Sequence, residues 1–137
     1  MIGKVKRDGG REASVGRGRL GGLSTGLRIV VEIHRASLTF PKIEQYNGLA
    51  DQLRRASKSV CGLIVEGVGR QTASSQEFAR YLTMAVGSGE EARLWCRYAL
   101  DLEYVEAKTA EEWREQYGQI LRKLMKLRAS VQLRSDH

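Results

Sequence analysis

The residue types that carry most proton transfer, nucleophilic attack and metal binding are scarce in this chain. It has two histidines, His34 and His137, and two cysteines, Cys61 and Cys96, in 137 residues. A dinuclear carboxylate metal site in a helical bundle needs Glu-x-x-His pairs on facing helices, and neither histidine stands three residues after a glutamate. There is no HExxH, no phosphate-cradling GxxxxGK followed by Ser or Thr, and no Ser–His–Asp set. Gly-x-Gly in EGVGRQ follows a helical stretch and not a strand, which argues against a nucleotide fingerprint. The two thiols have no CxxC spacing and read as free, buried structural residues of a reducing compartment. His34 falls on the apolar side of the first helix and reads as a partly buried packing residue. No catalytic residue, metal ligand or cofactor is expected.

What the chain does offer is cationic and polar patterning. The formal charge is +7. Residues 1–26 carry +4 of it and the remainder +3, so more than half of the excess lies on about a fifth of the chain. Arg54, Arg55 and Lys58 cluster in one segment, with Arg54 and Lys58 at i,i+4 spacing expected to face solvent. Arg122, Lys123 and Lys126 crowd the end of the last helical segment, with Arg128 beyond them. Such patches suit polyanions and predict strong salt dependence. Gln52, Ser59 and Glu66 recur every seven residues beside an apolar stripe. Glu66 lacks a second acid–base partner, so an interhelical or intersubunit hydrogen-bond ladder is expected; catalysis by Glu66 with Arg70 across a subunit interface is the competing reading.

The elements that must position these groups are helical. Pro41 is the sole proline, and the apolar fraction of 42% is enough for one core. Residues 1–22, rich in Gly and Arg, have little to bury and are expected to be a flexible basic tail. The bundle spans 23–133, with helices over about 23–38, 44–68, 74–102 and 109–132, and residues 134–137 as a disordered end. Leu27, Val30, Val31, Ile33, His34 and Leu38 outline the first helix, which Pro41 stops. Gly67 and Gly69 are expected to end the second through a left-handed C-cap. Ser74 with Glu77, and Thr109 with Glu112, have capping-box spacing for the third and fourth. The third helix is expected to run unbroken through Gly87-Ser88-Gly89, because its seven-residue pattern keeps phase on both sides. Short connections favour antiparallel up-down-up-down packing, an all-α fold. No apolar stretch approaches the roughly 20 residues of a membrane span, and the N-terminus lacks a secretory apolar core. The expected location is the cytoplasm.

Residues 40–92 carry a longer signature: FPKIEQYNGLADQLRRASKSVCGLIVEGVGRQTASSQEFARYLTMAVGSGEEA. Phe40, Pro41, Glu44, Leu49, Gln52, Arg54, Arg55, Ala56, Ser59, Glu66, Gly67, Gly69, Arg70, Glu77, Phe78, Leu82, Ala85, Gly87, Ser88 and Glu91 fall in order and without gaps. In these positions the chain resembles the bacterial four-helix-bundle proteins encoded in 23S rRNA intervening sequences. Two departures are Leu63-Ile64 in place of Asn-Ile, and the glycine-rich LGGLSTG at the start of helix one. The resemblance implies an antiparallel bundle assembled as a ring-shaped homopentamer. It also implies kinship with the accessory variability determinant proteins of diversity-generating retroelements, which bind nucleic acid and a partner reverse transcriptase through a basic surface.

Two functions follow as expectations. The first is a non-enzymatic homo-oligomer that binds nucleic acid, RNA in particular, with Arg54, Arg55, Lys58, Arg70, Arg122, Lys123 and Lys126 on phosphates. The second is an interaction scaffold that docks onto a reverse transcriptase or another nucleic-acid enzyme.

Overall fold

The computed structural model describes residues 22–135, with side chains described through Leu133. The flexible-tail reading of residues 1–21, and the final two residues of the expected disordered end, lie outside the described residues. Four helices follow in order: α1 (Leu23–Ser37), α2 (Leu49–Arg70), α3 (Ser75–Asp101) and α4 (Ala107–Ser135), with a short 3-10 turn at Lys42–Glu44. They form an antiparallel up-down-up-down bundle. The α2–α3 and α3–α4 seams are the most extensive, while α1 packs on α2 and more lightly on α4. No strand occurs among the described residues.

The core is built from aliphatic layers around a few rings. Trp113, Tyr117 and Phe78 are its largest buried side chains, packed with Leu53, Ile64 and Leu82. Each such burial contributes about 1.5–3 kcal/mol. Small residues set the helix spacing. A Cβ on Gly89 would collide with a methyl of Leu121 on α4. That glycine belongs to Gly87-Ser88-Gly89, where α3 continues unbroken through a close helix crossing.

Helix α1 buries only part of the apolar set that outlines it: Ile33 is fully buried and Val30 half-buried, and the buried face is rotated away from the other members. The buried positions are Gly26, Ile29, Ile33 and Ser37, whereas Leu27, Val31, His34 and Leu38 are exposed. The cause is backbone proximity. A Cβ on Gly26 would stand 3.1 Å from Cys61 Sγ, and one on Gly22 would stand 3.4 Å from Ile120. The side holding Gly22, Gly26, Ile29 and Ile33 approaches α2 and α4 most closely, and Leu27, Val31 and Leu38 turn outward.

Both ends of α2 and of α4 also differ from the pattern. Helix α2 starts at Leu49 and not near residue 44, because Asn47 takes a φ of 57° that no helix continues through. Glu44 instead reaches forward, accepting a hydrogen bond from the Leu49 backbone N–H at 2.7 Å. At its other end α2 runs through Gly67 and Gly69 to Arg70, and no described glycine has positive φ. Gly67 serves packing: a Cβ there would fall 2.9 Å from Cβ of Tyr81. Helix α4 begins at Ala107, so Thr109 lies inside its first turn, and the helix continues to Ser135. The Ser74 cap forms as its spacing suggests, with Oγ accepting from the Glu77 N–H at 3.1 Å. The Glu77 carboxylate turns to Arg80.

Candidate nucleic-acid interface

The seven basic residues divide by what surrounds them. Arg54 was expected to face solvent; it is half-buried and committed. Its Nη1 donates to Ser37 Oγ at 2.7 Å and Gln45 Oε1 at 3.2 Å, and its Nη2 donates to the Gln45 carbonyl at 3.2 Å. These acceptors lie nine and seventeen residues away, so spacing along the helix could not place them. Arg54 therefore joins α1, the connection and α2 into one corner of the bundle.

Arg55 remains exposed, and its Nε donates to Asp51 Oδ1 at 3.2 Å. That hydrogen bond holds the Asp51 carboxyl below its ordinary range. Lys58 is exposed. Arg70 lies at the far end of α2, roughly 24 Å along the axis from Arg54 at 1.5 Å per residue. Its guanidinium sits 4.9 Å from the centre of the Tyr81 ring and 3.9 Å from Glu77 Oε1. Arg80 sits on the same ring at 5.1 Å, and its hydrogen bond to Glu77, aided by Arg70, keeps that carboxyl low. Arg70 is thus occupied by Glu77 and Tyr81 and not by Glu66, which is exposed.

On α4, Arg122, Lys123 and Lys126 are exposed and form no ion pair among the described residues. From Gln116 to Leu133 the sequence contains no Asp or Glu. Their position in the last half of a helix also suits the helix dipole. Helices α2 and α4 are diagonal in the bundle, so the Arg55–Lys58 patch and this ridge do not form one continuous surface. Arg70 does share an end of the bundle with the ridge.

Two arginines join the α4 cations that composition alone did not single out. Arg93 of α3 and Arg114 of α4 line an open groove of about 360 Å³ with Arg122, Glu111, Glu115 and Gly118. Arg93 pairs with Glu90 at 3.6 Å, while Arg114 and Arg122 pair with no carboxylate among the described residues. The Nε atoms of Arg93 and Arg114 are buried and find no acceptor. Their mixed-charge neighbours hide them in the sequence; the signal is that positions 93, 114 and 122 converge only once α3 and α4 are packed.

The polar stripe divides as well. Ser59 accepts from Ser88 Oγ at 2.9 Å, a single rung between α2 and α3 within one chain. Gln52 is half-buried and Glu66 exposed. His34, read as a packing residue, is exposed because α1 buries its glycine side. Cys61 and Cys96 are free and buried. Burial pushes the Cys96 thiol up to about 12 and raises Cys61 as well, which leaves no reactive thiolate near neutral pH. Among the described residues no three His, Cys, Asp or Glu side chains gather as a metal site. No helix there is long and apolar enough to cross a membrane.

Residues 22–126 match the model of the family described as 23S rRNA-intervening sequence protein. A crystal structure of a protein with unknown function from the S23 ribosomal protein family of Bacteroides thetaiotaomicron aligns with a TM-score of 0.71 at 18% sequence identity, over 81% of this chain and 97% of that one. At that identity the likeness concerns the fold. No curated protein matches the sequence.

Proposed function

The chain belongs to the 23S rRNA-intervening sequence protein family, and from that premise we propose a non-enzymatic, homo-oligomeric bundle that binds nucleic acid, RNA in particular. The observation that carries this reading is the groove where Arg93, Arg114 and Arg122 outnumber Glu111 and Glu115, together with the exposed, unpaired cations Lys123 and Lys126 farther along α4. Guanidinium forks match phosphate oxygens, and lysines add point charges along a backbone. Nothing in the groove offers a shaped set of base-reading groups, so binding tracks phosphates and tolerates sequence. Arg54 drops out of the contact set, because its donors are spent inside the fold. Arg55, Lys58 and Arg70 belong to separate patches that a multimer would bring to bear through multivalency. The resemblance implies five subunits, and the cytoplasm is the expected setting.

A filter-binding titration of RNA across a salt series tests the reading. Affinity should fall steeply with salt, by about 0.7 in log–log slope for each phosphate neutralised on a single strand. Absence of binding at low salt would sink it.

A specific observation favours a second reading, the accessory subunit that docks onto a reverse transcriptase. Ile43 and Tyr46 on the α1–α2 connection are 82% and 87% exposed. Glu44 and Gln45 between them are held by hydrogen bonds to Leu49 and Phe40. Large apolar groups displayed on a pinned loop suit a protein partner. Co-purification with such an enzyme, lost on Tyr46→Asp, is the outcome that would support it.

A further inference from the structure

The connection between α1 and α2 holds the sole asparagine of the chain, Asn47, directly before Gly48. Both residues answer to demands of the backbone. Asn47 has a φ of 57°, a left-handed conformation that asparagine tolerates better than most residues. At Gly48 a Cβ would stand 2.6 Å from Glu44 Cα and 2.8 Å from the Glu44 carbonyl oxygen, so no side chain fits there. The turn that starts α2 thus favours an asparagine–glycine pair for conformational reasons alone.

That pair is also reactive. The amide nitrogen that follows an asparagine can attack the side-chain amide carbon and close a five-membered ring, and glycine puts no side chain in the way. Asn47 is exposed, and its side-chain amide forms no hydrogen bond among the described residues. The Gly48 N–H donates to no acceptor there either. The amides on both sides are engaged: Asn47 N–H donates to Asp51 Oδ2 at 3.1 Å, and Leu49 N–H to Glu44 Oε1 at 2.7 Å. The idle amide between them is the one the ring closure uses.

We propose that Asn47 is a self-modification site that converts, through a cyclic imide with Gly48, into aspartate and isoaspartate. Solvent base takes the Gly48 amide proton, the nitrogen bonds to Asn47 Cγ, and the side-chain nitrogen leaves as ammonia. Water then opens the imide. Attack at Cγ breaks the new C–N bond and leaves aspartate. Attack at the main-chain carbonyl breaks the original peptide bond and leaves isoaspartate, with the chain rerouted through Cγ and lengthened by a methylene. Either product sets a new carboxylate near Asp51, and isoaspartate also displaces the Asp51 and Glu44 contacts that start α2. The exposed Ile43 and Tyr46 lie on the same connection and are then presented on an altered backbone. The chemistry is independent of what the bundle binds.

The test is mass spectrometry of the full, folded chain held at mildly alkaline pH and sampled over days. Trypsin, cutting after Lys42 and Arg54, releases Asn47 in the peptide 43–54, and that peptide free in solution is the comparator. In the folded chain this segment should gain the mass of NH2 exchanged for OH, at a rate within about tenfold of the free peptide, since opening an exposed connection costs little. The product should separate into two species, one of which accepts a methyl group from an isoaspartyl carboxyl methyltransferase. Asn47→Gly, which keeps the left-handed φ accessible, should show neither change. A folded chain that keeps its asparagine while the free peptide converts would overturn the proposal, because the fold would then shield the amide. Conversion to aspartate alone would overturn the cyclic route. A mass gain that persists in Asn47→Gly would belong to a glutamine and would overturn the assignment.

Discussion

Two regions rich in basic and polar residues have opposite fates in this molecule. At the corner where α1 turns into α2, the half-buried polar side chains Arg54, Gln45 and Glu44 all have partners. Arg54 spends its donors on Ser37 and Gln45, Gln45 donates to the Ser37 and Phe40 carbonyls, and Glu44 takes the Leu49 N–H and the Tyr104 hydroxyl. In the C-terminal half of α4 the cations Arg122, Lys123 and Lys126 have no such partners among the described residues. Charge density along the chain does not distinguish the two. What separates them is whether residues distant in sequence arrive to consume the charge, and only the unconsumed charge is available to a ligand.

The largest expected effect that could break this comparison is at Arg54. Arg54→Ala should lower stability by about 2–3 kcal/mol, since hydrogen bonds from a charged group are worth about 1.5–3 kcal/mol and their loss removes the donor to the buried Ser37 oxygen, whose own proton still goes to the His34 carbonyl. Arg55→Ala next to it should cost under about 0.5 kcal/mol, as exposed i,i+4 pairs do. Urea unfolding with an unchanged slope would report both. Equal costs would erase the distinction between a committed and an uncommitted arginine.

The same contrast applies two residues apart in EGVGR. A Cβ on Gly67 would press against the Tyr81 Cβ at 2.9 Å, whereas Gly69 faces open space. Gly67→Ala should therefore destabilise by about 1–2 kcal/mol, overpacking outweighing the propensity gain. Gly69→Ala should stabilise by about 0.5–1 kcal/mol. Thermal melts of the pair decide the point. A smaller effect is expected at the corner's edge: Tyr104→Phe removes the 2.9 Å hydrogen bond to Glu44 Oε2 and should cost about 1 kcal/mol in the same melts.

These cases also mark how far the sequence could be read. Seven-residue patterning and the Ser74 cap place α3 within a residue at each end, because local signals and the tertiary answer agree there. The α2 start is not legible in the same way, since the Glu44 carboxylate caps it across the left-handed Asn47. Gly67 and Gly69 look like a helix stop until Tyr81 and Phe78 of α3 are packed against the first of them. On α1 apolar residues lie on a broad arc, and the part of it that α2 and α4 approach is the one where Ile29 and Ile33 align with Gly22 and Gly26. Arg93 and Arg114 are separated by 20 intervening residues and acquire a shared groove only through the α3–α4 seam.

The smallest effect on stability belongs to the region proposed to bind. The triple variant Arg122→Gln, Lys123→Gln and Lys126→Gln removes three exposed cations and no described ion pair. Its stability should change by under about 0.5 kcal/mol, most of it from lost interaction with the helix dipole. Its RNA affinity should fall, and the log–log salt slope should drop by about 2 per subunit in contact, since each neutralised phosphate on a single strand contributes about 0.7. Arg54→Lys should do the reverse: it keeps the charge but loses the planar fork that spans Ser37 and Gln45. It should weaken the fold while leaving the salt slope unchanged. A triple variant that unfolds, or that retains the wild-type slope, would mean that the α4 charges are part of the scaffold and that the polyanion lies elsewhere.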